Sequence, residues 1–358
     1  IFEPLNLKHF TLKNRIVMPA MVTFGFGVKD GLITDELVEY YAQRAAGGVG
    51  LIFVEAACID EMGKLAHAQI GIWNDGQLDG HKKLTERIHR YDLPVISQLH
   101  HAGIKSVMGN APGPSDFSGK ILEKDFSARE MTLPEISEIQ EKFIKAGKRA
   151  RQAGYDGIEI HCAHSYLLCS FLSPIANHRQ DQYGGSLENR IRLAADILKG
   201  IRDECGDRFI ISLRMGYDEP DLTDSIAIAK YFETAGIDLL NLSTGFGSSG
   251  YMPETSMAKA PEGFDFNVRI WGASQIRQHV SCPVIAVGGV RQPHQAEAVL
   301  KYGFCDLAAV GRGLMCDPEW VNKINTGKEI SYCRNCQRCI WSKDYHLCPG
   351  RTAYLKSI

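Results

Sequence analysis

Near-continuous apolar, β-branched runs recur along the chain at 15–18, 50–54, 94–99, 157–161, 209–215, 238–243, 283–287 and 306–310. Runs without polar alternation predict strands buried on both faces, the habit of a parallel sheet covered by helices. The intervening segments carry helix signals. Thr34-Asp35-Glu36 supplies a cap and first-turn acids, and Asp317-Pro318-Glu319 a cap followed by proline. Apolar or small residues at 136, 139, 143, 147 and 150 share one helix face. Eight strands alternating with helices predict an α/β protein built as a (β/α)8 TIM barrel rather than an open sheet. Residues 7–14 read as a short hairpin that plugs one end. The predicted division is a barrel over 1–328 and a short cysteine-rich extension over 329–358.

Three connections, 101–133, 168–185 and 246–266, are too long for ordinary loops. All follow the C-terminal end of a strand, where barrels place their chemistry, so they are predicted to wall a pocket. Gly245-Phe-Gly-Ser-Ser-Gly250 matches a dinucleotide-binding glycine pattern, but Pro253 and Pro261 follow it where such a turn must open a helix. It is set aside. With 44% hydrophobic and 23% charged residues and a formal charge of -2, the composition is that of a soluble globular protein, with no sign of a nucleic-acid or membrane surface. The N-terminal residues lack the form of a signal peptide, which predicts a cytoplasmic protein. Cys58, Cys162, Cys169, Cys205, Cys282, Cys305 and Cys316 sit in apolar or small-residue contexts, as reduced core thiols do.

In a barrel the residues just after each strand share one cavity. Here they are 19–23, 55–57, Gln98, then His161, His164 and Tyr166, then Arg214, Gly288-Gly289 and Gly311-Arg312. Glycines after strands seven and eight let backbone N–H groups approach a phosphate, and Arg312 adds a charge-assisted contact; the alternative is plain tight turns. Arg214 lies in an apolar strand and must be paired, with an acidic neighbour or with an anionic cofactor. Gln98 offers both donor and acceptor to a heterocycle edge. His161 and His164 read as donors, as metal ligands or as satisfied core histidines.

Asn14-Arg-Ile-Val-Met-Pro19, Gln98-Leu-His-His-Ala-Gly103, the His161, His164, Tyr166 spacing and the run SPIANHRQDQYGGSLENR from Ser173 to Arg190 together resemble the Old Yellow Enzyme family of FMN-dependent ene-reductases. The resemblance spans roughly 1–325. It implies FMN contacts at Pro19, Ala20, Met21, Val22, Ala56, Gln98, Arg214, Gly288, Gly289, Gly311 and Arg312, with NAD(P)H as reductant. It also implies a small unsaturated carbonyl substrate, bound by His161 and His164 and protonated by Tyr166. Within the Ser173–Arg190 run, Gly184 and Gly185 are predicted to turn the chain, Ser186 to cap a helix, and Arg179, Asp181 and Arg190 to pair. Val22 stands where many members place Cys or Thr, and Phe24 where some present a hydroxyl. Val22 cannot donate a hydrogen bond, so a lower flavin potential is predicted unless Thr23 substitutes.

Cys333, Cys336, Cys339 and Cys348, followed by Pro349, form a cluster that points to a metal centre rather than disulfides. A [4Fe–4S] cluster and structural zinc both accept four thiolates. The segment is similar to the iron–sulfur motif of the dienoyl-CoA reductase and trimethylamine dehydrogenase branch, though with shorter third and fourth spacings. Electrons would reach a cluster from a separate electron-transfer protein or subunit; otherwise NAD(P)H reduces the flavin directly. An ene-reductase is thus the leading expectation. An oxidative amine dehydrogenase or demethylase, an electron carrier and a phosphate-binding isomerase are the alternatives, and a homo-oligomer is left open.

Overall fold

The computed structural model describes residues 1–24, 30–121, 124–246, 259–337, 339–341 and 344–357, with side chains omitted at 119–125. Most of the glycine-pattern stretch 245–250 and much of the 246–266 connection therefore lie outside the described residues.

Eight parallel strands close into a barrel. They are β1 (Ile16–Met18), β2 (Leu51–Cys58), β3 (Val95–His100), β4 (Gly157–Cys162), β5 (Ile210–Gly216), β6 (Leu239–Ser243), β7 (Val284–Val287) and β8 (Leu307–Ala309). Each falls on a predicted apolar run. The strands are buried almost without interruption because helices cover them outside and side chains fill them inside. Helix Asp35–Ala46 starts where Thr34 accepts from the Leu37 N–H. Helix Leu133–Gln152 buries Ile136, Ile139, Phe143, Gly147 and Ala150, the predicted stripe. At Asp317 the outcome differs. The regular helix begins at Trp320, since the Asp317 carboxylate accepts from Lys323 Nζ at 2.8 Å and from the Ser331 N–H at 2.9 Å as well as from the Glu319 N–H at 3.0 Å.

Side-chain alternation divides the barrel interior into layers. At the floor, Leu51, Ile96, Ile210, Leu239 and Leu307 pack with Leu7 and Leu12 of the hairpin formed by Leu5–Leu7 and Phe10–Leu12. Two residues further along β3, β4, β5 and β6 come Gln98, Glu159, Ser212 and Asn241, all buried. Two further still come His100, His161, Arg214 and Ser243, at the mouth. The sequence therefore lays an apolar floor, a polar middle and a titratable rim.

After helix Trp320–Thr326 the chain turns back over the barrel's outside. Trp341 is buried against Tyr40, with ring centroids 6.1 Å apart, and helix Pro349–Ser357 brings Gly350 against Cys316. Among the described residues no helix is long and apolar enough to cross a membrane.

Candidate functional site

β4 ends in a tight backbone turn, with His164 and Ser165 at φ of 62° and 60°. Lys105 Nζ donates to the His164 carbonyl at 2.7 Å and so holds this left-handed pair in place. The turn aims His161, His164 and Tyr166 into one cavity with Ala20, Val22, Phe24, Ala56, Gln98, His100 and Arg214. These side chains come from the ends of five strands, as the barrel rule requires.

The histidines form a chain. His100 Nδ1 meets His161 Nδ1 at 3.1 Å, His161 Nε2 meets His164 Nδ1 at 2.9 Å, and His164 Nε2 meets Ser243 Oγ at 2.7 Å. Burial holds His161 and His164 well below the usual histidine range, reinforced for His161 by His164 and for both by Arg214 and Lys105, so both rings are neutral at pH 7. A neutral ring carries one N–H. Their 2.9 Å contact needs one N–H and one bare nitrogen, so as the rings stand only one of His161 Nε2 and His164 Nδ1 is protonated. With His100 donating to His161 Nδ1 and the Ser243 hydroxyl to His164 Nε2, both protons would sit on the facing nitrogens, which calls for an acceptor between them. The Tyr166 phenol is pushed up to about 12 by burial, against the pull of Arg214, and stays protonated. Its ring lies edge-on to His100, centroids 4.4 Å apart, with Lys105 Nζ 5.2 Å from its own centroid. Burial lowers Lys105 to about 8.

The expected cofactor residues occupy two adjoining places. Ala20, Val22, Ala56, Gln98 and Arg214 line the cavity. Pro19 and Met21 lie against Gly311, where an added Cβ would come within 3.0 Å of Met21 Sδ. Gly288 and Gly289 hold φ of 136° and 76°, and a Cβ on Gly289 would meet Asn267 Nδ2 at 2.6 Å. That corner is a backbone cradle which side chains would fill. Arg214 is buried, and among the described residues its Nε has no hydrogen-bond partner. Glu159 is its acidic neighbour, the first of the two expected pairings, yet that Nε–H is left without an acceptor; the donor, together with the glycine cradle, suits an anionic flavin nucleotide. Arg312, expected at the phosphate, is exposed and donates to Asn335 Oδ1 at 3.0 Å in the C-terminal segment. Thr23 does not substitute for Val22, because its N–H and hydroxyl both go to the buried Glu55 carboxyl, at 3.1 and 2.9 Å. Sequence reasoning missed His100 at the cavity, Lys105 behind His164 and Tyr166, and Asn267 at the cradle. Gln98-Leu-His-His was the signal for the first, since alternation along β3 puts Gln98 and His100 on one face.

The four-thiolate metal centre is a correction. Cys333 and Cys348 approach Cys316, the latter at 3.9 Å between sulfurs, whereas Cys336 and Cys339 are exposed. Among the described residues no group of three or more His, Cys, Asp or Glu side chains is placed to hold a metal ion. Close sequence spacing does not by itself converge four sulfurs, and this extended segment leaves two of them turned to solvent. The donor set does not fit a cluster.

A family model described as NADH:flavin oxidoreductase / NADH oxidase matches residues 1–330. An NADH oxidase of Thermoanaerobacter brockii is 38% identical over 94% of this chain and 52% of its own length. An NADPH dehydrogenase of Bacillus subtilis is 36% identical over 89% of this chain and 92% of its own. Among solved structures, a 2-naphthoyl-CoA reductase complexed with 2-naphthoyl-CoA superposes with a TM-score of 0.85 at 28% identity, covering 94% of this chain and 54% of that one. An old yellow enzyme homologue from Zymomonas mobilis gives 0.78 at 27% identity, covering 96% and 98%. The chain thus spans about half the length of the first and third of these proteins and nearly all of the others.

Proposed function

The chain belongs to the NADH:flavin oxidoreductase / NADH oxidase family, and on that premise we propose that it reduces the C=C bond of α,β-unsaturated carbonyl compounds, with Tyr166 as the proton donor. FMN, when bound, would supply hydride-transfer chemistry between NAD(P)H and the alkene β-carbon. Ala20, Val22, Ala56, Gln98 and Arg214 would surround its ring, and Pro19, Met21, Gly288, Gly289 and Gly311 its remainder. Arg312 would have to exchange Asn335 for the phosphate.

The observation that carries this reading is the convergence of His161 Nε2 and His164 Nδ1 at 2.9 Å beside Tyr166. A carbonyl oxygen that parts the two rings would replace their mutual bond and take one N–H from each, once both rings adopt the tautomers that His100 and Ser243 favour by donating to the outer nitrogens. Those donors then stabilise the negative charge that gathers on oxygen as the β-carbon is reduced. Because both rings are neutral, they polarise the oxygen without protonating it. Tyr166 keeps its phenol proton until the α-carbon becomes basic enough to take it. Arg214 would balance negative charge on the ring.

Tyr166→Phe tests the assignment. With cyclohexenone as acceptor, alkene reduction is expected to slow by about 10²–10⁴-fold, the usual worth of a positioned general acid. Flavin bleaching by NADH or NADPH should stay at the parent rate. Equal enone rates in the two proteins would remove Tyr166 as donor. No step is routed through Cys333, Cys336, Cys339 and Cys348. Four iron and four acid-labile sulfide per chain in anaerobically purified protein, the [4Fe–4S] stoichiometry, would reinstate the cluster and with it the oxidative, acceptor-linked reading.

A further inference from the structure

Beneath the mouth of the barrel we infer that Glu159 is a positioning residue, holding the Gln98 amide with its NH2 group turned inward so that the cofactor site is offered a hydrogen-bond acceptor. The inference rests on the reading that Gln98 faces FMN.

Glu159 sits in the middle of β4 with no solvent exposure. Its Oε1 accepts from Gln98 Nε2 at 2.7 Å, and its Oε2 accepts from Asn241 Nδ2 at 2.6 Å and Ser212 Oγ at 3.2 Å. Three strands, β3, β5 and β6, thus each direct a donor at one carboxylate. Gln98 and Ser212 are its register partners on either side. Arg214, one layer above, is the opposite charge that acts on it.

Burial raises Glu159, while Arg214 and the donors from Asn241, Gln98 and Ser212 favour its charged form. As a carboxylate it can only accept, so the part of the Gln98 amide that faces it is the NH2 group. The Gln98 carbonyl is thereby turned toward the cavity, which Gln98 also lines. An amide is nearly symmetric in shape, and without a carboxylate beneath it either end would fit. The pyrimidine edge of a flavin carries an N3–H between two carbonyl oxygens. An acceptor at Gln98 suits the N–H, while a donor there would suit a carbonyl. Glu159 therefore sets the hydrogen-bonding sense of the site without touching the cofactor.

The test compares FMN with N3-methyl-FMN, which lacks that N–H, by fluorescence titration of apoprotein. The parent protein is expected to bind the methylated flavin at least about tenfold more weakly, the scale of one lost hydrogen bond with its partner left unsatisfied. In Glu159→Gln the new amide can donate to the Gln98 carbonyl, which frees the Gln98 NH2 to face the cavity, and the preference should collapse toward unity. The exchanged pair Gln98→Glu/Glu159→Gln keeps one carboxylate and one amide in the same space, with the acceptor on the cavity side, and should restore it. A scaffolding role alone would weaken both flavins equally and leave their ratio unchanged in Glu159→Gln, which overturns the inference. Should that variant not accumulate, the exchanged pair decides, a ratio near unity counting against. If the parent itself does not discriminate, it is the placement of Gln98 against FMN that fails.

Discussion

His100 and Ser243 govern what His161 and His164 can offer a ligand, because each occupies the outer nitrogen of one ring. His100→Leu and Ser243→Ala are each expected to raise the KM for cyclohexenone by about 5–10-fold, the loss of one hydrogen bond's ordering effect, with flavin reduction unaltered. Unchanged KM in both variants would mean that the tautomers are set elsewhere. Val22→Thr is expected to make the flavin midpoint potential more positive, since Thr23 is committed to Glu55 and position 22 lines the cavity without a donor. No shift on potentiometric titration would count against Val22 lying beside the ring. At this scale the sequence was legible where residue type announces chemistry, as with Arg214 and Tyr166. It was opaque where the role depends on a partner across the sheet. Glu159 stands as one acid between Ile158 and Ile160, and its meaning comes from register pairing with Gln98 and Ser212.

Elements were easier to read than their junctions. All eight barrel strands lie on predicted runs, because a strand buried on both faces has to be apolar throughout. The Ser173–Arg190 run is explained by one side chain. Arg179 is nearly fully buried, bonds Asp181 at 2.6 Å, and donates to the Pro114 and Met131 carbonyls at 2.8 and 2.7 Å, joining two of the three long connections. Arg190 pairs with Asp224, at 3.0 Å, rather than with Asp181, and it also donates to the Gly185 and Leu172 carbonyls, both at 2.7 Å, so it fixes the loop as expected and ties it to the next helix. Arg179→Met should cost about 2–4 kcal/mol, since it strands two buried carbonyls and a carboxylate. Thermal unfolding within a degree of the parent would show that the connections hold without it. The cysteine segment was the least legible element. Thiolate count can be read from spacing, but convergence depends on how the backbone turns, and here Cys316, outside the motif, takes the place beside Cys333 and Cys348.

Across the whole molecule, buried titratable groups set the response to acid. Burial lowers His81 and His101 to about 4 and His100 to about 3, and holds His161 and His164 lower than usual. An unfolded histidine takes its proton near pH 6.5 while these do not, so the unfolded chain binds more protons between about 4 and 6.5 and stability rises with pH across that window. Burial raises Glu55 and Glu219 to about 7, and this works the other way, removing stability as pH climbs from about 4.5 to 7. Five depressed histidines outweigh the raised carboxyls, so the melting temperature is expected to climb from pH 4.5 to 6.5. A flat or falling profile would mean that the histidines are not buried as neutral rings.

The hairpin and the apolar floor close one end of the barrel. Among the described residues the vessel thus opens at its other end. Under the proposed chemistry, the nicotinamide and the enone must enter by the same opening and stand in the same spot, one leaving before the other arrives. Turnover should then follow alternating occupancy, with parallel lines in double-reciprocal plots and each partner, in excess, blocking the other's turn.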